Sequence, residues 1–97
     1  MLRVKGKLIL LTSQQGGMER DGFSGMSPSF CVNGELIMCF IHTGDHGSLI
    51  ERGRATDAII ELPYGEHYLE HIKPGCRYTI HYASKLLGDV LISDIAP

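Results

Sequence analysis

The last third of the chain has the clearest alternation of apolar and polar positions. Over residues 76–82, apolar or aromatic residues alternate with Arg77, Thr79 and His81. A period of two is typical of a strand with one buried face, because successive side chains point to opposite faces. A proline–glycine turn precedes this run, and a short polar break separates it from a second apolar run over 86–95. The pattern predicts a β-hairpin around which the other strands pack.

The start of the chain shows the same alternation. Every second position is apolar or glycine, and Arg3, Lys5 and Lys7 occupy the other face of the predicted strand. Ile9 and Leu11 then make this outer face apolar, so we expect a loop or a partner to cover it there.

The middle of the chain adds three strands. Asn33-Gly34 is a strong signal for a hairpin turn, because both residue types tolerate positive φ, and it joins strands at 30–32 and 35–41. A strand at 58–62 ends at Pro63. The three glycine-bearing loops cover residues 13–29, 42–53 and 64–73. The side chains expected to anchor these loops in the core are Phe23, Met26, Leu49 and Ile50.

Six short strands with few or no helices predict an all-β protein. A chain of 97 residues has room for one modest core, so residues 1–97 are expected to form a single domain. A small six-stranded antiparallel closed β-barrel suits this pattern better than a sandwich, and closure removes exposed sheet edges.

Charge and cysteine content narrow the functional classes. A net charge of −2 argues against a dedicated nucleic-acid binder, which is usually basic. The odd number of cysteines (Cys31, Cys39 and Cys76) predicts reduced, buried thiols in a cytoplasmic protein. The first residues alternate charge with apolar side chains, which is typical of neither a signal peptide nor a membrane span.

Five segments together resemble the C-terminal β-barrel domain of translation elongation factor Tu. They are Gly16-Gly17, Phe23-Ser24-Gly25 with Pro28 and Phe30, Gly53 with the strand 58–62, Gly75 to Ile80, and Ser84 to Gly88. The resemblance covers essentially the whole chain and implies a six-stranded antiparallel barrel. In that family the domain packs on a GTPase domain and helps to hold the T-stem of aminoacyl-tRNA.

The chain departs from that family at its contact positions. Met18-Glu19-Arg20 replaces an Arg-His-Thr run, the segment 27–29 replaces Arg-Pro-Gln, and the segment 81–85 replaces Arg-Glu-Gly-Gly-Arg. No Gly-x-x-x-x-Gly-Lys-Ser/Thr loop occurs, so no nucleotide binding is expected. The resemblance therefore implies the scaffold more strongly than the tRNA role.

Two clusters of polar residues have catalytic or metal-binding alternatives. His67 and His71 would face one way on an α-helical turn, with Glu66 and Glu70 beside them, and such a set suits zinc or nickel. A solvated connection between strands explains the same residues. The histidines, aspartate and serine of the loop 42–48 suggest a triad, but turn formation explains them, and no nucleophile elbow occurs. We therefore expect no enzyme activity, no cofactor and no metal.

The sequence leads to a non-catalytic binding module with a protein partner or a second copy of itself. The predicted partner-binding residues are Gly16, Gly17, Phe23, Gly25, Pro28 and Ser29, with Ile9, Leu11 and Leu91 as apolar support. The first alternative is an RNA-contacting or tRNA-contacting domain with a translation-related role. It would use His81, Lys85 and Arg77, next to the basic face of Arg3, Lys5 and Lys7. The second alternative is a small metal-dependent enzyme that uses His67 and His71. No membrane partner is expected.

Overall fold

The chain is all-β in the computed structural model, which describes residues 1–96. The strands are β1 (Leu2–Leu10), β2 (Gly22–Phe23), β3 (Ser29–Val32), β4 (Glu35–Met38), β5 (Phe40–His42), β6 (Leu49–Ile50), β7 (Thr56–Leu62), β8 (Arg77–Tyr82) and β9 (Lys85–Ala96). Two 3₁₀ helices lie between them, at Ser13–Gln15 and Gly65–His71. No helix within the described residues is long and apolar enough to cross a bilayer.

Seven strands form one antiparallel sheet that curls into a half-barrel, in the order β4-β3-β8-β9-β1-β7-β5. The prediction of an antiparallel all-β fold is confirmed, but the prediction that six strands form a closed barrel is wrong. The predicted return strand 35–41 is interrupted at Cys39, and its halves, β4 and β5, lie at opposite ends of the strand order. β2 and β6 form a separate two-stranded sheet.

The alternation in β1 is the one predicted from the sequence. Its even positions are buried, and the cations Arg3, Lys5 and Lys7 are exposed. The predicted hairpins are also confirmed: β3 pairs with β4 across Asn33-Gly34, and β8 pairs with β9. The core beneath the sheet contains side chains from every strand except β2, together with Met26, Cys39 and Ile72 from the connections. Its largest fully buried members are Phe30, Leu8, Leu10, Ile41, Ile50, Ile60, Leu62, Ile72, Ile80, Leu87, Ile92 and Val4.

Two glycines allow β1 and β9 to approach closely where the sheet curls. A Cβ on Gly6 would overlap the carbonyl oxygen of Leu91 and lie 2.9 Å from Cγ2 of Val90. A Cβ on Gly88 would lie 2.9 Å from Cα of Leu10. The register of the β1–β9 pair shifts at Gly6, so a small residue coincides with the irregularity that bends the sheet.

Several predicted core positions are exposed instead. Phe23 is 49% exposed and Leu49 is 73% exposed, because they pair across the β2–β6 ribbon on the face turned away from the core. Met26 and Ile50 are buried, as predicted. Tyr82 is 71% exposed at the end of β8, where no further strand covers it.

The cysteine prediction is confirmed at one position of three. Cys39 is buried and donates its thiol to the carbonyl of Pro28 (3.3 Å). Cys31 is half-buried on β3, and Cys76 is exposed in the turn before β8. All three are free thiols, and burial raises the pKa of Cys39 to about 12, so this thiol is unreactive at neutral pH.

Candidate partner-binding groove

An apolar cavity of about 230 Å³ lies between the loop that follows the first 3₁₀ helix and the last hairpin. It is lined mainly by Met18, Phe23, Met26, Pro28, Tyr82 and Leu87. Phe23 and Tyr82 are largely exposed, whereas Met26, Pro28 and Leu87 are buried and form a floor. Exposed aromatic side chains over an apolar floor are typical of protein-interaction sites.

A second cavity of about 400 Å³ adjoins the first and shares Met18, Tyr82 and Leu87 with it. Its further lining residues are Glu19, Arg20, Asp21 and Lys85. We call the two cavities together the groove. One end of the groove is therefore apolar and the other end carries charges.

The loop on one side of the groove begins with a capped 3₁₀ helix. Thr12 accepts a hydrogen bond from the Gln15 backbone at Oγ1 (3.3 Å), and its own N–H donates to Oε1 of Gln15 (2.9 Å). This reciprocal capping box satisfies two backbone donors. Gly16 ends the helix with φ of 87°, and Gly17 packs so tightly on Leu11 that a Cβ would lie 2.7 Å from its carbonyl carbon.

Arg52 fastens the next part of the loop. Its Nε and its backbone N–H both donate to Oδ1 of Asp21, at 3.0 and 3.2 Å, and its Nη1 donates to the carbonyl of Met18 at 2.6 Å. These hydrogen bonds from Arg52 lower the pKa of Asp21, so this carboxylate stays ionised. Arg52 thus sets the position of Met18 in the groove without being part of it.

Close packing with the 42–48 loop holds the segment around Phe23. Ser24 is fully buried, and its hydroxyl accepts a hydrogen bond from the Thr43 N–H (3.0 Å). Gly25 has φ of 101°, and a Cβ there would lie 2.6 Å from Nδ1 of His46. Asp45, His46 and Ser48 of the suggested triad therefore belong to a loop that supports the groove, whereas His42 lies on β5.

A row of outer-face residues extends from the groove across β4, β3, β8 and β9. Met38 pairs with Ser29, Ser29 pairs with His81, and His81 pairs with Leu86. Met38 and Leu86 are 48% and 41% exposed. The structure thus places Ser29, predicted for a protein partner, directly beside His81, predicted for RNA.

The predicted partner-binding residues have different positions in the structure. Phe23 and Pro28 line the apolar cavity, and Ser29 is half-buried in the adjoining row. Gly16 is exposed, Gly17 is buried and Gly25 is half-buried. All three glycines have evident roles in loop conformation or packing, so their part in binding stays a prediction. The N–H groups of Gly16 and Gly17 donate to the carbonyls of Ser13 and Thr12.

Three groove residues lie on the last hairpin, outside the loop 16–29 that the sequence predicts for a protein partner. They are Tyr82, Lys85 and Leu87. Lys85 had been assigned to RNA, and Tyr82 to the buried face of its strand. The apolar groups were missed because the groove forms between segments about 60 residues apart in the sequence, and no local pattern reports that contact. The predicted apolar supports are half-buried: Ile9 and Leu91 lie on β1 and β9, and Leu11 directly follows β1.

The predicted basic face is divided by ion pairs. Arg3 pairs with Glu61 (3.2 Å), Lys7 with Asp57 (2.6 Å) and Arg77 with Asp89 (3.3 Å). β9 also separates β1 from β8, so the cations of the two strands do not form one patch. Lys5 and Lys85 form no ion pair with any residue that the structure describes.

Glu61 is the centre of a small polar network on the outer face. Its Oε1 lies 2.6 Å from Nε2 of His42, and its Oε2 accepts a hydrogen bond from Nε of Arg3 (3.2 Å). The hydrogen bond with His42, and then the one with Arg3, lower the pKa of Glu61. The Glu61 side chain is only 19% exposed, whereas that of Arg3 is 59% exposed. The network joins β5, β7 and β1 and has the features of a structural contact.

His67 and His71 lie on the second 3₁₀ helix, not on an α-helix. With three residues per turn, residues four apart point in different directions, so the i, i+4 argument for a shared ligand face fails. Within residues 1–96, no three His, Cys, Asp or Glu side chains are grouped as a metal site would require. The carbonyl of His71 instead accepts a hydrogen bond from the Tyr78 hydroxyl (2.6 Å).

No protein-family model matches this chain, and a search of curated proteins finds no match either.

Proposed function

We propose that the chain is a non-catalytic binding module that holds a protein partner in the groove. The observation that carries this proposal is the apolar cavity, with Phe23 and Tyr82 exposed above buried Met26 and Leu87. Aromatic residues and methionine are enriched at protein interfaces, and methionine adapts to different partner shapes.

We further propose that the fold is like that of the C-terminal barrel domain of elongation factor Tu. Two backbone hydrogen bonds support this proposal: Cys39 N–H donates to Pro28 (3.2 Å), and Ile41 N–H donates to Met26 (3.0 Å). They continue the β3–β4 ladder toward β5. A solution structure tests this likeness: contacts between segments 26–28 and 39–41 would support it, and their absence would contradict it.

Affinity purification from a native lysate tests the protein-binding function. We expect the unaltered chain to retain a protein in stoichiometric amount, and the double variant Phe23→Ala/Tyr82→Ala to lose it. Leu69→Ala is the matched control, because Leu69 is 50% exposed on the second 3₁₀ helix, away from the groove. Retention of the same partner by the groove variant, or the absence of any partner together with a monomeric elution, would contradict the proposal.

A second candidate function is RNA contact, and one observation favours it. Tyr82 and Lys85 pair across the last hairpin, so an exposed aromatic ring adjoins a cation that has no ion-pair partner in residues 1–96. Aromatic stacking combined with a cation is typical of single-stranded RNA sites. In a gel shift with tRNA, this function predicts salt-sensitive binding that Lys85→Glu abolishes and Lys5→Glu preserves. His81 and Arg77 lie on the same hairpin, but Arg77 is paired with Asp89.

A further inference from the structure

We propose that the groove recognises a linear protein segment in which an apolar side chain is followed or preceded, within two residues, by a carboxylate. The apolar side chain enters the smaller cavity, and the carboxylate contacts Lys85. This inference rests on the proposed function and specifies the partner of the same groove.

The smaller cavity selects the apolar side chain. Its lining is apolar apart from Ser27, so a charged or amide group there would lose hydrogen bonds with water and gain few in return. Its volume suits one side chain of the size of Leu, Met or Phe, not a folded surface. The floor of Met26 and Leu87 is buried, so an entering group contacts apolar atoms instead of water on that side.

The wider end of the groove selects the carboxylate through its charges. The charges that line this end, Arg20, Lys85, Glu19 and Asp21, balance one another. Arg52 neutralises Asp21 from outside the groove, so the remaining charges leave one net positive charge. Asp21 is already occupied by Arg52, whereas Lys85 and Arg20 form no ion pair in the described part of the chain. The chain as a whole carries −2, so the positive charge is a local property of this end. Screening confines its effect to about 8 Å at physiological salt.

The spacing follows from the hairpin. Tyr82 lines both cavities, and Lys85 is its directly opposite partner on β9. Opposite residues have Cβ atoms about 5 Å apart, and an extended peptide advances about 3.3 Å per residue. An apolar side chain against Tyr82 therefore places a carboxylate one or two residues away within reach of the Lys85 ammonium group.

Selection from a display library of random twelve-residue peptides tests this motif. We expect the unaltered protein to enrich peptides with Leu, Met, Phe or Ile and with Asp or Glu within two positions. With Lys85→Glu, the same apolar preference should persist while the acidic preference changes to Lys or Arg. Exchange of the carboxylate for its amide in a selected synthetic peptide should weaken binding to the unaltered protein about tenfold at low salt. The same exchange in the peptide should have little effect on its binding to the Lys85→Gln variant.

Control variants separate failure of this inference from failure of the proposed function. Phe23→Ala/Tyr82→Ala should lose all selected peptides, and Lys5→Glu should select the same motif as the unaltered protein. Apolar enrichment without an acidic preference, or no change of preference with Lys85→Glu, would overturn the motif and leave the groove as a protein site. Failure to enrich any peptide would also overturn the motif, whereas the lysate experiment judges the proposed function separately. If tRNA displaced every selected peptide, Lys85 would be assigned to RNA binding instead. Unchanged thermal unfolding of each variant establishes that it is folded.

Discussion

The long central strands and the β2–β6 ribbon with its loops are stabilised by different interactions. β8, β9, β1 and β7 form long ladders over a buried apolar core. The β2–β6 ribbon has only two residues per strand, and its loops are held by Arg52 and by the buried Ser24. The first region buries most of its apolar side chains, whereas the ribbon exposes Phe23 and Leu49, and Phe23 lines the groove. Stability and recognition are therefore expected to respond to different substitutions.

Two phenylalanines give the largest expected contrast between these regions. Phe30 is fully buried in β3 and stacks on Tyr78 with ring centroids 5.1 Å apart, whereas Phe23 is 49% exposed at the groove. We expect Phe30→Ala to lower the free energy of unfolding by about 3–5 kcal/mol. We expect Phe23→Ala to change it by no more than about 0.5 kcal/mol. Urea denaturation of both variants checks this, and similar losses would show that the groove is part of the folding core.

A pair of glycine substitutions separates close packing from loop conformation. Gly6→Ala places a methyl group against the β9 backbone and should cost about 1–3 kcal/mol or more, because the clash is with main-chain atoms. Gly16→Asn is the control: no atom lies within 4 Å of its Cβ position, and Asn tolerates the φ of 87°. Denaturation midpoints should fall clearly for Gly6→Ala and little for Gly16→Asn. The reverse order would contradict the close approach of β1 and β9.

Loss of the side-chain hydrogen bonds from Arg52 should affect the groove more than the overall fold. Arg52→Met retains the aliphatic stem but removes the side-chain hydrogen bonds to Asp21 and Met18. We expect faster amide exchange over residues 18–23, weaker partner binding and a smaller midpoint change than with Gly6→Ala. Arg54→Met is the matched control, because Arg54 is 73% exposed and forms only a 3.5 Å pair with Glu51. Equal amide exchange in Arg52→Met and Arg54→Met would contradict the role of Arg52 in holding this loop.

Disruption of the Glu61 network should change the free energy of unfolding least among these variants, and the change should depend on pH. Because the folded-state pKa of Glu61 is lowered, the unfolded chain binds the proton more readily, and stability rises with pH in this window. The contribution is present above the ordinary glutamate pKa, roughly 4.3, and is lost as the pH falls through the lower folded value.

Glu61→Gln should therefore reduce stability at neutral pH by about 1 kcal/mol or less, and the difference should disappear in acid. Unfolding measured between neutral pH and pH 3 checks this, with Glu70→Gln as an exposed control. A difference that grows in acid would have the wrong sign for the proposed cause.

The fold was predictable where local patterns coincide with global packing. The alternation in β1 and in 76–82 identified real strands, and Asn33-Gly34 identified a real hairpin with φ of 52° and 78°. The segment with His67 and His71 does form helical turns, but as a 3₁₀ helix it removes the metal-site geometry that an α-helical turn would give. The sequence patterns failed at Phe23 and Leu49, because the short β2–β6 ribbon turns both apolar side chains toward solvent.

The amino-acid order alone specifies the strands, their turns and the buried face of each long strand, because those choices depend on neighbours a few residues away. Only the folded chain decides that Met18 and Phe23 meet Tyr82, that Asp21 meets Arg52, and that Asp57, Glu61 and Asp89 neutralise most of the basic face. These contacts join residues that are distant in sequence. The ion pairs depend on which strands are neighbours, and the groove depends on how the loop packs on the last hairpin. Periodicity along the chain carries no information about either.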